Sequence, residues 1–485
     1  MNSYQESYAN SIAELGFKEI GHLTDLENVK TKPGKLSLGL ECLDRDLWEF
    51  DRAFPVIKKL GVKRVRLQSG WQKTEKKKGE YDFAWLDNIV DQLIQAGIDP
   101  FIDLCYGNKI YCEDLSKYPS IENGGVGHLP INTEEEREGW KNYVKALATH
   151  FSGRIKHFEL WNEVDLSIFA KVEMPWPDAY MELVKMTVPV IKDIIPDAFI
   201  ISCTATVANS AHLVDRGIDK YVDAHSFHGY KFFPEDFPPE ALANFVAKLN
   251  KKAPSLKFWR GEAGCPSYND PKSKGALSNI QATEPKQAKF LLRHLTNDLH
   301  NDALACSSYF HAYDFVHFSK IVRYHYGLIR HEDVSTKPSY DCFQVLTHIF
   351  DGNVRANSES KLSYIIQKPN PDFSNEEYAS LKFLSFKKDD YTVYAYFLPK
   401  YIDDAVVAKA LHLSLPTDVC AADSVILDPL TRKIYPISDS STALSPVTDY
   451  PLFVVNKKMI AEFATIEEQE IAPEVITEIK QGNHE

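Results

Sequence analysis

The chain has 485 residues, 44% of them hydrophobic and 25% charged, with a formal net charge of −13. That length supports a large core, in more than one domain or in one large α/β barrel with an accessory unit. The acidic balance argues against nucleic acid and an anionic membrane as partners.

The opening residues, Met1-Asn2-Ser3-Tyr4-Gln5-Glu6, lack a basic start followed by an apolar run, so no signal peptide is expected. No apolar stretch approaches the ~20 residues that span a bilayer. The eight cysteines are scattered without a Cys-x-x-Cys. Cys105, Cys203, Cys265 and Cys306 sit in or beside predicted strands, where Cys behaves as a small hydrophobe. The expectation is a cytoplasmic protein with reduced thiols.

From residue 34 onward, short apolar runs alternate with amphipathic stretches. Leu36 to Leu43 reads as a strand and Trp48 to Leu60 as a helix. Lys63 to Gln68 is the next strand, and Phe83 to Ala96 the next helix, closed by Gly97. Pro100 to Tyr106 is a third strand. Glu134 to Phe151 is a helix with Thr133 as N-cap, followed by strand four, His157 to Asn162. Pro177 to Ile194 is a helix stopped by Pro196. Phe199 to Thr204 and Val222 to His228 are strands five and six. Helix Pro239 to Lys251 precedes strand seven, Lys257 to Gly261. Helix Glu284 to Asp298 precedes strand eight, Ala303 to Phe310, and Pro338 to Phe350 is the closing helix. This alternation predicts a (β/α)₈ barrel over residues 34–350. A doubly wound open sheet would want a glycine-rich phosphate turn after its first strand, and Gly39-Leu40-Glu41-Cys42 offers none.

After Asp351 the period changes to two. Tyr391 to Phe397, Leu411 to Leu415, Ser424 to Leu427, Lys433 to Ile437 and Leu452 to Val455 read as strands, with Asp428-Pro429-Leu430-Thr431 as a turn. Residues 351–464 are expected to form an antiparallel β-sandwich that braces the barrel. Residues 1–33 either add a strand to that sandwich or cross the barrel's closed end. Residues 465–485 read as a frayed tail.

The motif of most consequence is His157-Phe158-Glu159-Leu160-Trp161-Asn162-Glu163-Val164. An apolar strand there delivers an amide and a carboxyl at its C-terminal end. A second run, Leu256 to Gly264, delivers Glu262 at the end of strand seven. In a barrel of this kind both face the same mouth. Two carboxyls across one pocket are the equipment of glycoside hydrolysis.

Trp161-Asn162-Glu163 on strand four, with a Glu ending strand seven, resembles the retaining (β/α)₈ glycoside hydrolases of clan A. Several stretches are most similar to family 39, the β-xylosidases and their relatives: Arg64 to Gln68, Tyr81-Asp82-Phe83 with Leu86-Asp87, Ala96 to Phe101, Phe158 to Glu163, and Gly327-Leu328-Ile329 followed by Lys337 to Tyr340. The resemblance covers roughly residues 36 to 350.

It implies Glu163 as acid/base and Glu262 as nucleophile, about 5–5.5 Å apart, in a retaining double displacement. Asn162 would bond the sugar 2-hydroxyl, and Arg66, on strand two, would donate to Glu262. His228-Gly229-Tyr230 matches a His-x-Tyr signal of the clan, so that Tyr230 or His228 would hydrogen-bond Glu262. Trp71, Tyr106, Asn108 and Trp176 follow strand ends or sit in the facing loops and are candidates for the sugar subsites. Glu41 and Asp44, after strand one, are candidates for binding sugar hydroxyls. Many clan members carry a Trp near the end of strand eight. Here the run is Ser308-Tyr309-Phe310-His311, so Tyr309, Phe310 or His311 would substitute.

The spacing of His311, His317 and His325 fits no metal signature, and no Gly-x-Ser-x-Gly elbow is present. No cofactor or metal is expected. The expected partner is a carbohydrate, and a homo-oligomer is compatible with this reading. The reading is a retaining, exo-acting β-glycosidase of small oligosaccharides or glycosides. The alternatives are an endo-acting β-glycanase of the same clan, or a non-catalytic carbohydrate-binding protein.

Overall fold

The alternating apolar runs close into a barrel of eight strands: β1 (Leu36–Gly39), β2 (Arg64–Gln68), β3 (Asp99–Leu104), β4 (His157–Leu160), β5 (Phe199–Thr204), β6 (Ala224–His228), β7 (Lys257–Ala263) and β8 (Leu304–Tyr309). Every neighbouring pair is parallel, and β1 returns to β8. The computed structural model describes residues 2–236, 238–272, 275–316, 322–366, 373–437 and 442–467.

Local sequence sets the helix ends. Thr133 Oγ1 accepts from the Glu136 amide at 3.2 Å, in a capping box that starts helix Glu134–His150. Gly97, with φ +71°, ends the turn after helix Ala84–Gln95. Between β5 and β6 lies a short helix, Ser210–Val214, in a stretch where no helix was expected.

Strand phase layers the interior. Phe101, Ile201, Ala224, Trp259 and Cys306 form an apolar plug toward the strand N-termini. Two residues further along β3 and β4, the same phase carries Asp103 and Glu159, both fully buried. The barrel therefore turns from apolar to charged as it approaches its C-terminal mouth.

Beyond the barrel, an eight-stranded antiparallel sheet and a three-stranded sheet form the C-terminal sandwich. Gly21–Leu23 is a strand of the larger sheet, lying between Lys433–Pro436 and Ala464–Ile466. Thr465 and Ile466 are thus in a strand, and the rest of the expected tail, from residue 468, lies outside the described residues. The sandwich packs on two barrel helices. Lys289 pairs with Asp449 at 2.6 Å in a buried ion pair, and the Phe350 ring meets those of Phe386 and Phe453. No described helix is long and apolar enough to cross a membrane. All eight cysteines are unpaired.

Candidate active site

Beyond β4 the backbone leaves the extended region. Trp161 has φ +65° and Glu163 φ +44°. Side-chain residues occupy that region only when surroundings hold them there. Trp161 is fully buried, its Nε1–H donates to the Phe169 carbonyl at 3.0 Å, and its ring is set edge-on against Trp140 and Tyr106. Glu163 is thereby turned into the mouth.

On β7 the register slips by one residue, so that Phe227 faces Arg260 while His228 faces Glu262. The extra residue is Gly261, where a Cβ would come within 2.0 Å of Ser226 Oγ. A bulge of this kind re-aims the following side chain, here Glu262.

The two carboxyls meet across His228. Its Nδ1 is 2.8 Å from Glu163 Oε1 and 3.6 Å from Glu262 Oε2, and the three groups present ligand atoms within 4.8 Å of one another. Tyr230 Oη donates to Glu262 Oε1 at 2.5 Å, and Arg66 Nη1 to Oε2 at 3.2 Å. Arg66 is the hub beneath them. It also donates to Glu159 at 2.5 Å, Glu41 at 3.0 Å, Asp103 at 3.2 Å and Asn162 Oδ1 at 3.1 Å.

The network holds more carboxyls than cations. Burial pushes the Asp103 carboxyl up to about 7 against the pull of Arg66. Burial also raises Glu41 and Glu262, and at Glu262 the cation His228 pulls down while Glu163 pushes up. Burial opposes the charge on His228, but Glu262, Cys203 and Glu163 outweigh it and hold the imidazole well above its ordinary value. The arrangement is a buried proton-sharing cluster that titrates as a unit. Glu163, His228 and Glu262 are close enough to ligate one ion, yet Arg66 and His228 already place positive charge against Glu262. The donor set therefore fits a shared proton better than a metal. His311 lies between the carbonyls of Tyr313 and Glu41, His325 Nδ1 lies 3.3 Å from Asp314, and His317 lies outside the described residues.

A cleft of about 560 Å³ opens above this cluster. Glu41, Asn162, Glu163, Tyr106, Tyr230 and Glu262 line it. With its oxygen taken by Arg66, Asn162 has its Nδ2–H group left for the cleft. Of the three residues at the end of β8, Phe310 is the one whose ring lines the cleft.

Several expected subsite residues lie elsewhere. Trp71 is fully buried in a stack with Tyr111 and Tyr143, its Nε1 donating to Glu75, so its ring is core. Asn108 is a turn residue, with Nδ2 on the Glu75 carbonyl at 2.8 Å. Trp176 opens helix Trp176–Ile194 and packs on His212. Tyr309 faces outward against Phe343 of the closing helix. His311 stands behind the cleft wall, 3.5 Å from Glu41 Oε2, and burial pushes it down to about 4. Asp44 is buried against Arg45 at 3.1 Å.

Other cleft residues escaped the sequence reading: Arg45, Gln68, Phe169, Tyr324 and Tyr326 line it, and Asp103 and Glu159 carry Arg66. Asp103 and Glu159 did leave a signal, because a lone acid in an apolar strand needs a buried partner.

The family model for glycosyl hydrolases family 39 matches residues 49–394. The chain belongs to glycosyl hydrolase family 39. Family 39 is a member of clan A of the glycoside hydrolases. Among solved structures, a family 39 glycoside hydrolase from the gut symbiont Bacteroides cellulosilyticus WH2 superposes with TM-score 0.65 at 19% identity, covering 90% of this chain and 82% of that one. A monomeric β-xylosidase from Caulobacter crescentus CB15 gives TM-score 0.55 at 16% identity, over 88% and 97%. These likenesses establish the shared fold. β-Galactosidase BgaA of Clostridium cellulovorans is 30% identical over 138 residues, which are 25% of this chain and 20% of that protein. The chain thus spans about a fifth of the curated relative it matches.

Proposed function

We propose that this family 39 enzyme is a retaining β-glycosidase that releases single sugars from small β-glycosides, β-xylosidase-like, with Glu262 as nucleophile and Glu163 as acid/base. The observation that carries the reading is the approach of the two carboxyls to within 4.8 Å, with His228 beside both. Retention needs a separation of about 5–5.5 Å, whereas inversion needs about 6.5–9.5 Å to admit a water.

The donors support this division of roles. Glu262 accepts from Tyr230 and Arg66 and faces His228, which favours its ionised form and suits an attacking carboxylate. Glu163 has one such partner, His228, and opens onto the cleft. In the first step Glu262 forms a bond to the anomeric carbon as the glycosidic C–O bond breaks, and Glu163 gives its proton to the leaving oxygen. In the second, Glu163 takes a proton from water, whose oxygen replaces Glu262 on the anomeric carbon. In this reading Asn162, whose Oδ1 accepts from Arg66, hydrogen-bonds the 2-hydroxyl.

Exo action is supported by the shape of the cleft. Phe315, Tyr324 and Tyr326, from the segment after β8, help to wall the cleft. Kinetics on aryl β-glycosides test the assignment. Glu262→Ala is expected to abolish turnover. Glu163→Ala is expected to keep activity on activated aryl leaving groups and to be rescued by azide. Full activity in Glu262→Ala would overturn the roles.

A further inference from the structure

A sugar hydroxyl moved from water onto an aliphatic wall loses hydrogen bonds that the wall cannot replace. The part of the cleft wall supplied by the loop after Glu163 is nonetheless apolar. Leu166, Ile168 and Phe169 follow Glu163 in the same loop, with Val126 beside them. Ten large hydrophobic side chains are exposed among the described residues, and four of them, Leu115, Leu166, Ile168 and Met174, fall on the two loops bordering this wall. Leu166 is 40% exposed and Ile168 61%. Clustering of this sort marks a binding surface.

The loops are tied together. The Lys171 amide donates to the Gly127 carbonyl at 2.9 Å, and Lys171 Nζ to the Lys117 carbonyl at 3.1 Å. Ile168, Val126 and Ser120 also line a second hollow of about 290 Å³ that runs on to Tyr118 and Pro119 under a rim of Lys117 and Lys171. The shared residues make that hollow an immediate neighbour of the catalytic cleft.

Chemistry assigns the two ends. The proton donor must lie beside the leaving oxygen, so the leaving group lies along the Glu163 loop. The released sugar lies against the polar wall of Glu41, Asn162 and Glu262. We propose that the leaving group is an extended apolar aglycone, alkyl or polycyclic aliphatic, held over Leu166 and Ile168 and reaching the second hollow. The proposal rests on Glu163 being the acid. It places the enzyme after a reaction that glycosylates an apolar alcohol.

The test uses the sugar that the enzyme releases from aryl β-glycosides. Its methyl, butyl and octyl β-glycosides, each below its micelle concentration, are compared with the disaccharide of the same sugar. Alkanols leave almost equally well, so chain length reports binding rather than chemistry. Each methylene taken from water is worth up to about fourfold, and kcat/KM is expected to rise roughly tenfold or more from methyl to octyl, mainly through KM. The double variant Leu166→Ser with Ile168→Ser is expected to collapse the octyl-to-methyl ratio, and Ile168→Val to keep it. A disaccharide cleaved as well as the octyl glycoside, or a ratio untouched in the double variant, would overturn the proposal. So would a flat series accompanied by variant-sensitive binding to phosphatidylcholine vesicles, which would make the patch a membrane contact. If the wild type released no sugar from any aryl glycoside, the glycosidase assignment itself would fall.

Discussion

His228 Nδ1 stands 2.8 Å from Glu163 Oε1, and the same nitrogen faces Glu262 at 3.6 Å, so one imidazole serves both carboxyls. Its charge is among the factors that pull Glu262 down against burial. Replacing it with a neutral side chain removes that pull. In His228→Asn the acidic limb of the kcat/KM profile should move up by about one pH unit or more. An unshifted limb would mean that His228 is not charged in the free enzyme.

Tyr230 Oη donates to the other oxygen of Glu262 at 2.5 Å. A hydrogen bond to a charged group is worth about 1.5–3 kcal/mol. Tyr230→Phe should therefore lower kcat on an aryl glycoside by roughly 10- to 100-fold while leaving KM within a factor of a few. A matching melting temperature would separate this loss from misfolding.

Gly261 makes the bulge that aims Glu262, and a Cβ there would meet Ser226 Oγ at 2.0 Å. Gly261→Ala should cost about 1–3 kcal/mol of stability, the range for overpacking, and reduce activity with it. Adding Ser226→Ala removes the colliding oxygen and should restore part of both. Denaturant melts of the single and double variants measure this. No recovery would mean that the bulge is held by some other contact.

Asp103 holds its proton to about 7, against an ordinary 3.8. Between those values the folded chain keeps a proton that the unfolded chain has released. Its contribution is therefore fully present below about 4 and is lost as pH rises through about 7. Asp103→Asn removes this titration. The wild-type advantage over the variant should shrink from pH 4 to pH 7, by a few kcal/mol at most. Urea melts across that range test the sign. A difference constant with pH would mean that Asp103 is ionised throughout.

The candidate pair was legible because each Glu ends an apolar run and a barrel puts all strand ends on one face. Thr133 and Gly97 were legible as helix ends because capping is local chemistry. The subsites were not, since position after a strand does not say which way a side chain turns. Trp71 turns into the helix layer, while Tyr106, at a similar place in the next repeat, turns into the cleft. Strand phase separates Tyr309 from Phe310, but only once the end of β8 is known. The Arg66 hub joins β2, β3, β4 and β7 with the loop after β1, and no single stretch of sequence contains it.

Proton NMR of the first sugar released from an aryl β-glycoside, followed before mutarotation, tests the double displacement most directly. The approach of Glu163 and Glu262 to within 4.8 Å leads us to expect the β-anomer to appear first. First appearance of the α-anomer would mean that water attacks directly, and would contradict Glu262 as the nucleophile.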